Sequence, residues 1–174
     1  PYRRQRQMCI RDSNGRVYVY GTNDSQQYEA AANADNNYSK IKTLNCYSSA
    51  DMVNWTDHGT IAVSGNKGAA KWSANSWAPA VCHKKINGKE KFFLYFANNA
   101  SSIGVLTADS PTGPWTDPIG KPIIDRSIKG CAESEIGWLF DPAVLVDDDG
   151  TGYLYFGGIG NTDGKKEDFI RNPK

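Results

Sequence analysis

The sequence is poor in methionine, with two, and it contains no apolar run near the roughly 20 residues of a membrane span. It also lacks an excess of either charge, because 20 basic residues are balanced by 19 acidic ones and the formal net charge is +1. A chain without a basic field is a poor partner for nucleic acid. We therefore expect neither nucleic acid nor a membrane among its partners. A length of 174 residues favours one domain.

Cysteine is sparse and widely spaced. Cys9, Cys46, Cys82 and Cys131 include no Cys-x-x-Cys pair and match no zinc template. Disulfide frameworks belong to shorter, cysteine-dense chains. Buried free thiols are therefore the favoured interpretation, and a disulfide framework is the alternative.

Aromatic residues, in contrast, are abundant, with five Trp, nine Tyr and six Phe. Together with 17 Gly and many Asn, Asp and Ser residues, they favour short strands and turns over helix bundles. No segment has 3.6-residue periodicity over a helix length, and the polar stretch from Thr22 to about Lys40 is predicted to be a loop. The sequence predicts an all-β fold.

The chain contains an internal repeat. Residues 77–81 read Trp-Ala-Pro-Ala-Val and residues 140–144 read Phe-Asp-Pro-Ala-Val, and a polar turn and an aromatic run follow each copy. An Ala-Asp…Trp-Thr-Asp phrase also occurs twice, with Trp55 and Trp115 sixty positions apart, and both indoles are expected in the core. A period of this size, built from short strands, indicates stacked or radially arranged β-units.

The middle copy of the repeat predicts one complete unit. Its strands are expected over 78–83, 91–97 and 102–107, with a fourth after Trp115. Four antiparallel strands per repeat describe a propeller blade. The sequence therefore predicts a β-propeller, of which about two and a half blades are present.

The two ends differ from the rest of the sequence. Residues 1–13 show no alternation and are interpreted as a non-native, adapter-derived tail, which leaves residues 14–174 as a partial propeller domain. Residues 172–174 stop within a polar stretch. We expect the chain to be a fragment that is open at both ends.

One copy of the repeat carries an acid, Asp141, where the other has Ala78. A carboxylate at a position where the repeat tolerates alanine indicates chemistry rather than packing. The alternative is that Asp141 caps a turn before Pro142.

Four segments, 76–79, 101–105, 110–118 and 140–150, together resemble glycoside hydrolase family 43, most closely its arabinofuranosidase and arabinoxylan arabinofuranohydrolase members. The resemblance covers roughly residues 15–162 in the correct order. It implies a five-bladed β-propeller whose funnel holds an active site for L-arabinofuranosides or D-xylosides. It also implies inverting hydrolysis by three carboxylates, a base, an acid and a third that tunes the acid.

By this resemblance, Asp141 is the third carboxylate, which raises the pKa of the general acid and orients substrate. The position of the base falls at Gln5 or Arg6, neither of which can accept a proton. The acid is a Glu of the next blade, past Lys174, and Glu133 and Glu135 do not match its motif. We expect this chain to be inactive by itself.

Three aromatic residues are candidates for sugar binding. Trp77 and Phe140 occupy matching repeat positions, where Trp77 is expected to line the funnel and stack on a sugar face. Trp72 is a candidate wall of a further subsite. Packing between blades is the alternative for Trp77.

The run Asp147-Asp148-Asp149-Gly150 resembles the start of a calcium loop but lacks the further ligands at fixed offsets. A hairpin turn closing on Gly150 is the favoured interpretation. We expect no cofactor and no metal ligands in this chain, and a structural calcium ion in a full-length protein is left open.

The sequence thus predicts part of an inverting glycosidase of the α-L-arabinofuranosidase or β-xylosidase type. Its expected substrates are arabinoxylan or xylo- and arabino-oligosaccharides, and we expect a secreted, extracellular protein. The first alternative is a non-catalytic glycan-binding propeller, and a weaker one is a structural propeller that binds proteins. The sequence does not choose arabinose over xylose.

Overall fold

The computed structural model describes residues 9–13, 15–30, 38–132 and 135–158. These residues form nine β-strands and one short helix, so the predicted all-β fold is confirmed. The elements are β1 Cys9–Ser13, β2 Arg16–Thr22, α1 Ser25–Ala30, β3 Thr43–Ser49, β4 Thr56–Ala62, β5 Trp77–Ile86, β6 Lys89–Asn98, β7 Ser102–Ala108, β8 Phe140–Val146 and β9 Gly152–Gly157. The described part of the chain holds no helix with the length and hydropathy of a membrane span.

The strands form three antiparallel sheets that follow one another along the chain. Their orders are β1-β2-β3-β4, β5-β6-β7 and β8-β9. Each sheet begins with an edge strand, and β5 contacts both β1 and β8. The fourth strand expected after Trp115 is reduced to two isolated antiparallel bridges to β7, Thr107 with Thr116 and Ile103 with Ile124.

The predicted turns form as their sequences dictate. Asn87 and Gly88 join β5 to β6 with φ angles of 51° and 78°, and Ile86 pairs with Lys89. Two residues with positive φ match the right-handed twist of the flanking strands, which explains the Asn-Gly sequence. In the second turn the N–H of Gly150 donates to the carbonyl of Asp147, 2.8 Å away, so the predicted hairpin turn is confirmed.

The main hydrophobic core lies between the first and second sheets, and it is built from alternate residues of their strands. Trp115 packs against this core, as predicted, and its ring meets that of Tyr20 edge-on at 6.4 Å. Trp55 does not pack against the core and is 45% exposed, so the prediction that its indole is buried is wrong. The buried members are Tyr18, Tyr20, Leu44, Cys46, Ile61, Val63, Ala70, Val81, Leu94, Phe96 and Leu106.

A second cluster joins the second and third sheets through Ala80, Cys82 and Val144. Cys82, like Cys46 and Cys131, is buried and free, as the thiol interpretation predicts. Burial raises the pKa of the Cys46 thiol to about 11, so this group is held neutral.

Two elements fall where the sequence predicts none. Strand β1 lies within residues 1–13, and it pairs with β2 from Cys9 opposite Tyr20 to Ser13 opposite Arg16. Backbone pairing needs no hydrophobic alternation, which is why the pattern gave no signal. Residues 1–8 lie outside the described residues, and the interpretation of residues 1–13 as a tail stays a prediction.

The second unexpected element is helix α1, which occupies part of the predicted polar loop. Its Gln27 is only 2% exposed, although it lies in a polar stretch that was predicted to be a loop. The amide oxygen of Gln27 accepts the N–H of Lys40 at 2.9 Å, and that of Gln26 accepts the N–H of Lys42 at 2.7 Å. A polar side chain can be buried when its hydrogen bonds are satisfied in this way.

Candidate functional site

A small cleft lies where the three sheets meet, with a cavity volume of about 40 Å³. The first sheet contributes the end of β2 and the segments that follow it, and the other two contribute the starts of β5 and β8. The cleft therefore joins parts of the chain more than 100 residues apart. The lining residues are Thr22, Asp24, Tyr38, Trp77, Ala78, Phe140 and Asp141.

Three of the four residues predicted for the site meet in this cleft, namely Trp77, Phe140 and Asp141. They come from the two copies of the repeat. Two carboxylate-bearing residues and three aromatic residues thus share one small depression. Aromatic faces and hydrogen-bond acceptors together suit a ligand that has apolar C–H faces and hydroxyl groups.

The repeat imposes an unusual backbone on both copies. Ala78 has φ 44° and Asp141 has φ 53°, and each lies at a register shift between the first two strands of its sheet. Such irregularities bend a strand and re-aim its side chains. Since alanine adopts the same conformation, the strained backbone is a property of the repeat. What distinguishes Asp141 is its carboxylate, and aspartate tolerates positive φ better than alanine does.

Trp77 is held rigidly at the cleft. Its indole N–H donates to the backbone carbonyl of Tyr38 at 3.0 Å, and the two rings meet edge-on with centroids 6.1 Å apart. The next residue, Ala78, donates its backbone N–H to the Thr22 hydroxyl at 3.1 Å. These bonds tie the start of β5 to the first sheet, so the indole presents a fixed face to the cleft.

Phe140 is paired with an aromatic residue that the sequence analysis missed. Trp138 lies two positions earlier, its ring meets Phe140 at 5.5 Å with an interplanar angle of 70°, and half of its surface is exposed. An exposed indole beside a cleft-lining ring extends the aromatic surface outward. The signal was present in the run Trp138-Leu139-Phe140, because a period of two places both rings on one side of an extended segment.

Asp24 is the second residue that sequence reasoning missed. It lies between β2 and α1, and it lines the cleft together with Asp141. Nothing in the local pattern separates it from the other polar residues of its stretch. Its place in the site depends on how the first and third sheets pack on either side of β5.

The structure puts Trp72 elsewhere. Its indole N–H donates to the carboxylate of Asp117 at 2.7 Å, and its ring stacks on Phe96 at 6.0 Å. It packs against the main core between the first and second sheets and does not line the cleft. Its role as the wall of a further subsite stays a prediction. Trp72 lies in the connection between β4 and β5, and a large indole in a loop gains stability when it is buried against the core.

The acid position falls past Lys174, and the structure tests neither the base position nor the acid position. Gln5, Arg6 and Glu133 lie outside the described residues. Glu135 accepts a hydrogen bond from the N–H of Gly130 at 3.1 Å and does not line the cleft. Within the described ranges, no three His, Cys, Asp or Glu side chains form a group that could hold a metal ion.

The fold and the cleft define an all-β protein of repeated antiparallel sheets, with a carboxylate- and aromatic-lined site suited to a sugar. The sequence model of glycosyl hydrolases family 43 matches residues 7–170. The chain belongs to this family, and the resemblance seen in its sequence is confirmed.

Two curated relatives are similar over most of this chain. It is 55% identical over 168 residues to an arabinoxylan arabinofuranohydrolase of Paenibacillus polymyxa, covering 92% of this chain and 26% of that protein. It is 59% identical over 152 residues to an arabinoxylan arabinofuranohydrolase of Bacillus subtilis (strain 168), covering 83% of this chain and 29% of that protein. The chain therefore spans less than a third of the length of these relatives.

Solved structures agree with the fold. A family 43 arabinoxylan arabinofuranohydrolase from Bacillus subtilis, determined in complex with cellotetraose, matches with a TM-score of 0.82 and 52% identity, covering 92% of this chain and 34% of that one. An α-L-arabinofuranosidase from Clostridium thermocellum ATCC 27405 matches with a TM-score of 0.62 and 36% identity, covering 87% and 47%.

Proposed function

We propose that this chain forms part of the active site of an inverting glycoside hydrolase that releases arabinofuranose from arabinoxylan or its oligosaccharides. The observation that carries the proposal is the meeting of Asp141, Trp77 and Phe140 in one cleft. Membership of family 43 supports glycoside hydrolysis. The names of the two relatives favour arabinofuranose over xylose as the released sugar.

In the proposed mechanism, Asp141 tunes a general acid. Inversion needs an acid and a base roughly 6.5–9.5 Å apart, with a water molecule between the base and the sugar. The acid must stay protonated until it donates its proton to the leaving oxygen. A carboxylate close to it disfavours its ionisation and raises its pKa. Asp141 also accepts a hydrogen bond from the sugar and so orients it.

The aromatic residues position the sugar. Trp77, fixed by Tyr38, stacks on the apolar face of the ring, and Phe140 closes the opposite part of the cleft. A fixed platform reduces the ordering that binding would otherwise cost. Turnover requires a base and an acid in addition to Asp141, so we propose that the described residues alone bind sugar without hydrolysing it.

The wider architecture is proposed to be a five-bladed β-propeller in which each of the three sheets belongs to one blade. Support comes from the sequential order of the sheets and from exposed apolar side chains on the third sheet. Leu145 is 47% exposed and Tyr155 is 60% exposed, and a further blade would cover such a face. We also propose an extracellular location, where plant-wall polysaccharide is found, and catalysis without a cofactor.

A chimaera tests the proposed function. Residues 15–158 of this chain replace the matching segment of the Bacillus subtilis relative, and arabinose release from arabinoxylan is measured. The chimaera should be active, and proton NMR should show inversion at the anomeric carbon of the first-formed product. Asp141→Asn should lower turnover by about 100-fold or more. Asp148→Asn, which removes an exposed carboxylate from the turn after β8, is the matched control.

An Asp141→Asn chimaera with control-level turnover and an unchanged melting temperature would refute the catalytic role of Asp141. A folded chimaera that binds arabinoxylan without releasing arabinose would instead support the alternative of a non-catalytic glycan-binding protein.

A further inference from the structure

We propose that Asp24 is a second sugar-binding carboxylate of the cleft, which determines specificity by accepting hydrogen bonds from ring hydroxyl groups. The inference rests on the proposed function, because it assigns a ligand contact within the same site. Asp24 lines the cleft from the side of the first sheet, whereas Asp141 lines it from the third. Trp77, of the second sheet, belongs to the same lining.

The backbone around Asp24 is fixed by a tight turn. Its own N–H donates to the carbonyl of Thr22 at 3.1 Å, and its carbonyl accepts the N–H of Gln27 at 3.1 Å. Thr22 in turn holds the start of β5 through its hydroxyl group. The position of Asp24 is therefore coupled to the strand that carries Trp77.

Helix α1, which follows Asp24, is pinned to the chain segment leading into β3. Gln26 and Gln27 accept backbone N–H groups from that segment, with Gln26 bonding both Lys42 at 2.7 Å and Thr43 at 3.1 Å. Gln27, which accepts from Lys40, is almost completely buried. These bonds prevent the helix from shifting, so Asp24 belongs to a rigid part of the site rather than to a loosely attached loop.

The polar side chains on either side of Asp24 have anchoring roles. The Asn23 amide donates to the Thr43 hydroxyl at 2.9 Å, and the Ser25 hydroxyl donates to the Asn23 amide oxygen at 2.6 Å. Neither residue lines the cleft, whereas Thr22 and Asp24 do. The turn thus holds its flanks against β3 and places Asp24, its one acidic residue, at the site.

The chemistry of a carboxylate identifies what it recognises. An ionised carboxylate only accepts hydrogen bonds, and a sugar hydroxyl is a donor that can supply one. A sugar lacking that hydroxyl cannot form this hydrogen bond. Binding should therefore depend on the hydroxyl and not only on the size of the ring.

Binding measurements on the 174-residue chain test this inference. NMR titrations compare methyl α-L-arabinofuranoside with its 2-deoxy and 3-deoxy analogues, using the wild type, Asp24→Asn, Asp141→Asn and a control, Asp109→Asn, whose carboxylate is 86% exposed. The wild type and the control should bind the parent sugar about tenfold more tightly than one of the deoxy analogues. Asp24→Asn should bind the parent sugar about tenfold more weakly and lose that preference.

Asp24 also precedes a helix, where its loss could affect stability. Asp24→Ser retains an oxygen suited to helix capping but removes the charge, so it should lose the same hydroxyl preference with its fold intact. The inference would be overturned if Asp24→Ser and Asp24→Asn still preferred the parent sugar over the deoxy analogue. If Asp141→Asn at the same time bound the parent sugar more weakly, the proposed function would stand. Failure of the folded wild type and control to bind any of the sugars would overturn both.

Discussion

Ala78 and Asp141 share one backbone conformation in two different sheets. Both have positive φ, 44° and 53°, and both follow an aromatic residue that lines the cleft. The repeat therefore builds the same strained strand entry twice and places a carboxylate on only one of them. Strain that occurs at an alanine is not a mark of catalysis, so the chemical role that we propose rests on the side chain of Asp141 and not on its backbone.

The strained position predicts a selective cost for branched side chains. Ala78→Val should destabilise the chain by about 2 kcal/mol or more, because a β-branched residue is poorly tolerated at positive φ and the site is buried. Ala143→Val, on the exposed face of β8, is the control and should change stability by less than about 0.5 kcal/mol. Urea denaturation measures both, and equal effects would contradict this explanation.

The two tryptophans at 72 and 77 should separate stability from binding. Trp72→Phe removes the hydrogen bond to Asp117 and part of the core, so it should cost about 1–3 kcal/mol of stability and leave sugar affinity unchanged. Trp77→Ala should weaken sugar binding with a smaller loss of stability, because the indole is only partly buried. Thermal melts and titrations with arabinoxylan oligosaccharides distinguish the two, and a reversed pattern would refute the assignment of both residues.

Trp138 should matter for longer ligands. Trp138→Ala is expected to weaken binding of an arabinoxylan oligosaccharide about five- to tenfold, since an exposed ring beside the cleft can stack on a further sugar, with a stacking energy of about 1 kcal/mol. Binding of the monosaccharide should change little. Trp55→Ala removes an indole of similar exposure from the outer part of the first sheet and is the control. Equal effects of the two substitutions on oligosaccharide affinity would argue against a subsite at Trp138.

Asp51 should contribute a pH-dependent part of the stability. Hydrogen bonds from the Asn54 side chain, the N–H groups of Asn54 and Val53, and the Ser49 hydroxyl hold the pKa of this carboxyl well below its usual range. A lowered folded-state pKa means that the contribution is fully present above the unfolded pKa of about 3.9 and is lost as the pH falls through the folded value.

The measurement is the melting temperature of the wild type and of Asp51→Ala between pH 7 and pH 2. Asp51→Ala should melt at a lower temperature at pH 7, and the difference should narrow only below about pH 4. Asp148→Ala, in an exposed turn, should show no comparable difference at pH 7. If the difference in melting temperature between the wild type and Asp51→Ala stayed constant down to pH 2, the Asp51 carboxylate would not be the source of the pH-dependent stability.

The amino-acid sequence by itself determined the local structure and much of the site. The repeated aromatic runs and the polar turns between them specified strands and hairpins, because both signals depend on neighbouring residues alone. The repeat identified Trp77 and Phe140 as equivalent positions and Asp141 as the acid that replaces an alanine of the other copy. The structure brings all three residues into one cleft. The buried thiols also followed from cysteine spacing.

Tertiary structure decided what the local patterns could not. Asp24 lines the cleft from the turn before α1, whose glutamines bond the segment before β3, and Trp72 packs against the core between the first two sheets instead. Trp55 and Trp115 share one sequence phrase, yet one is half exposed and the other packs on the core. The physical reason is that burial and the composition of the cleft depend on packing between sheets that are far apart in the chain, whereas periodicity and turn chemistry report only on neighbours.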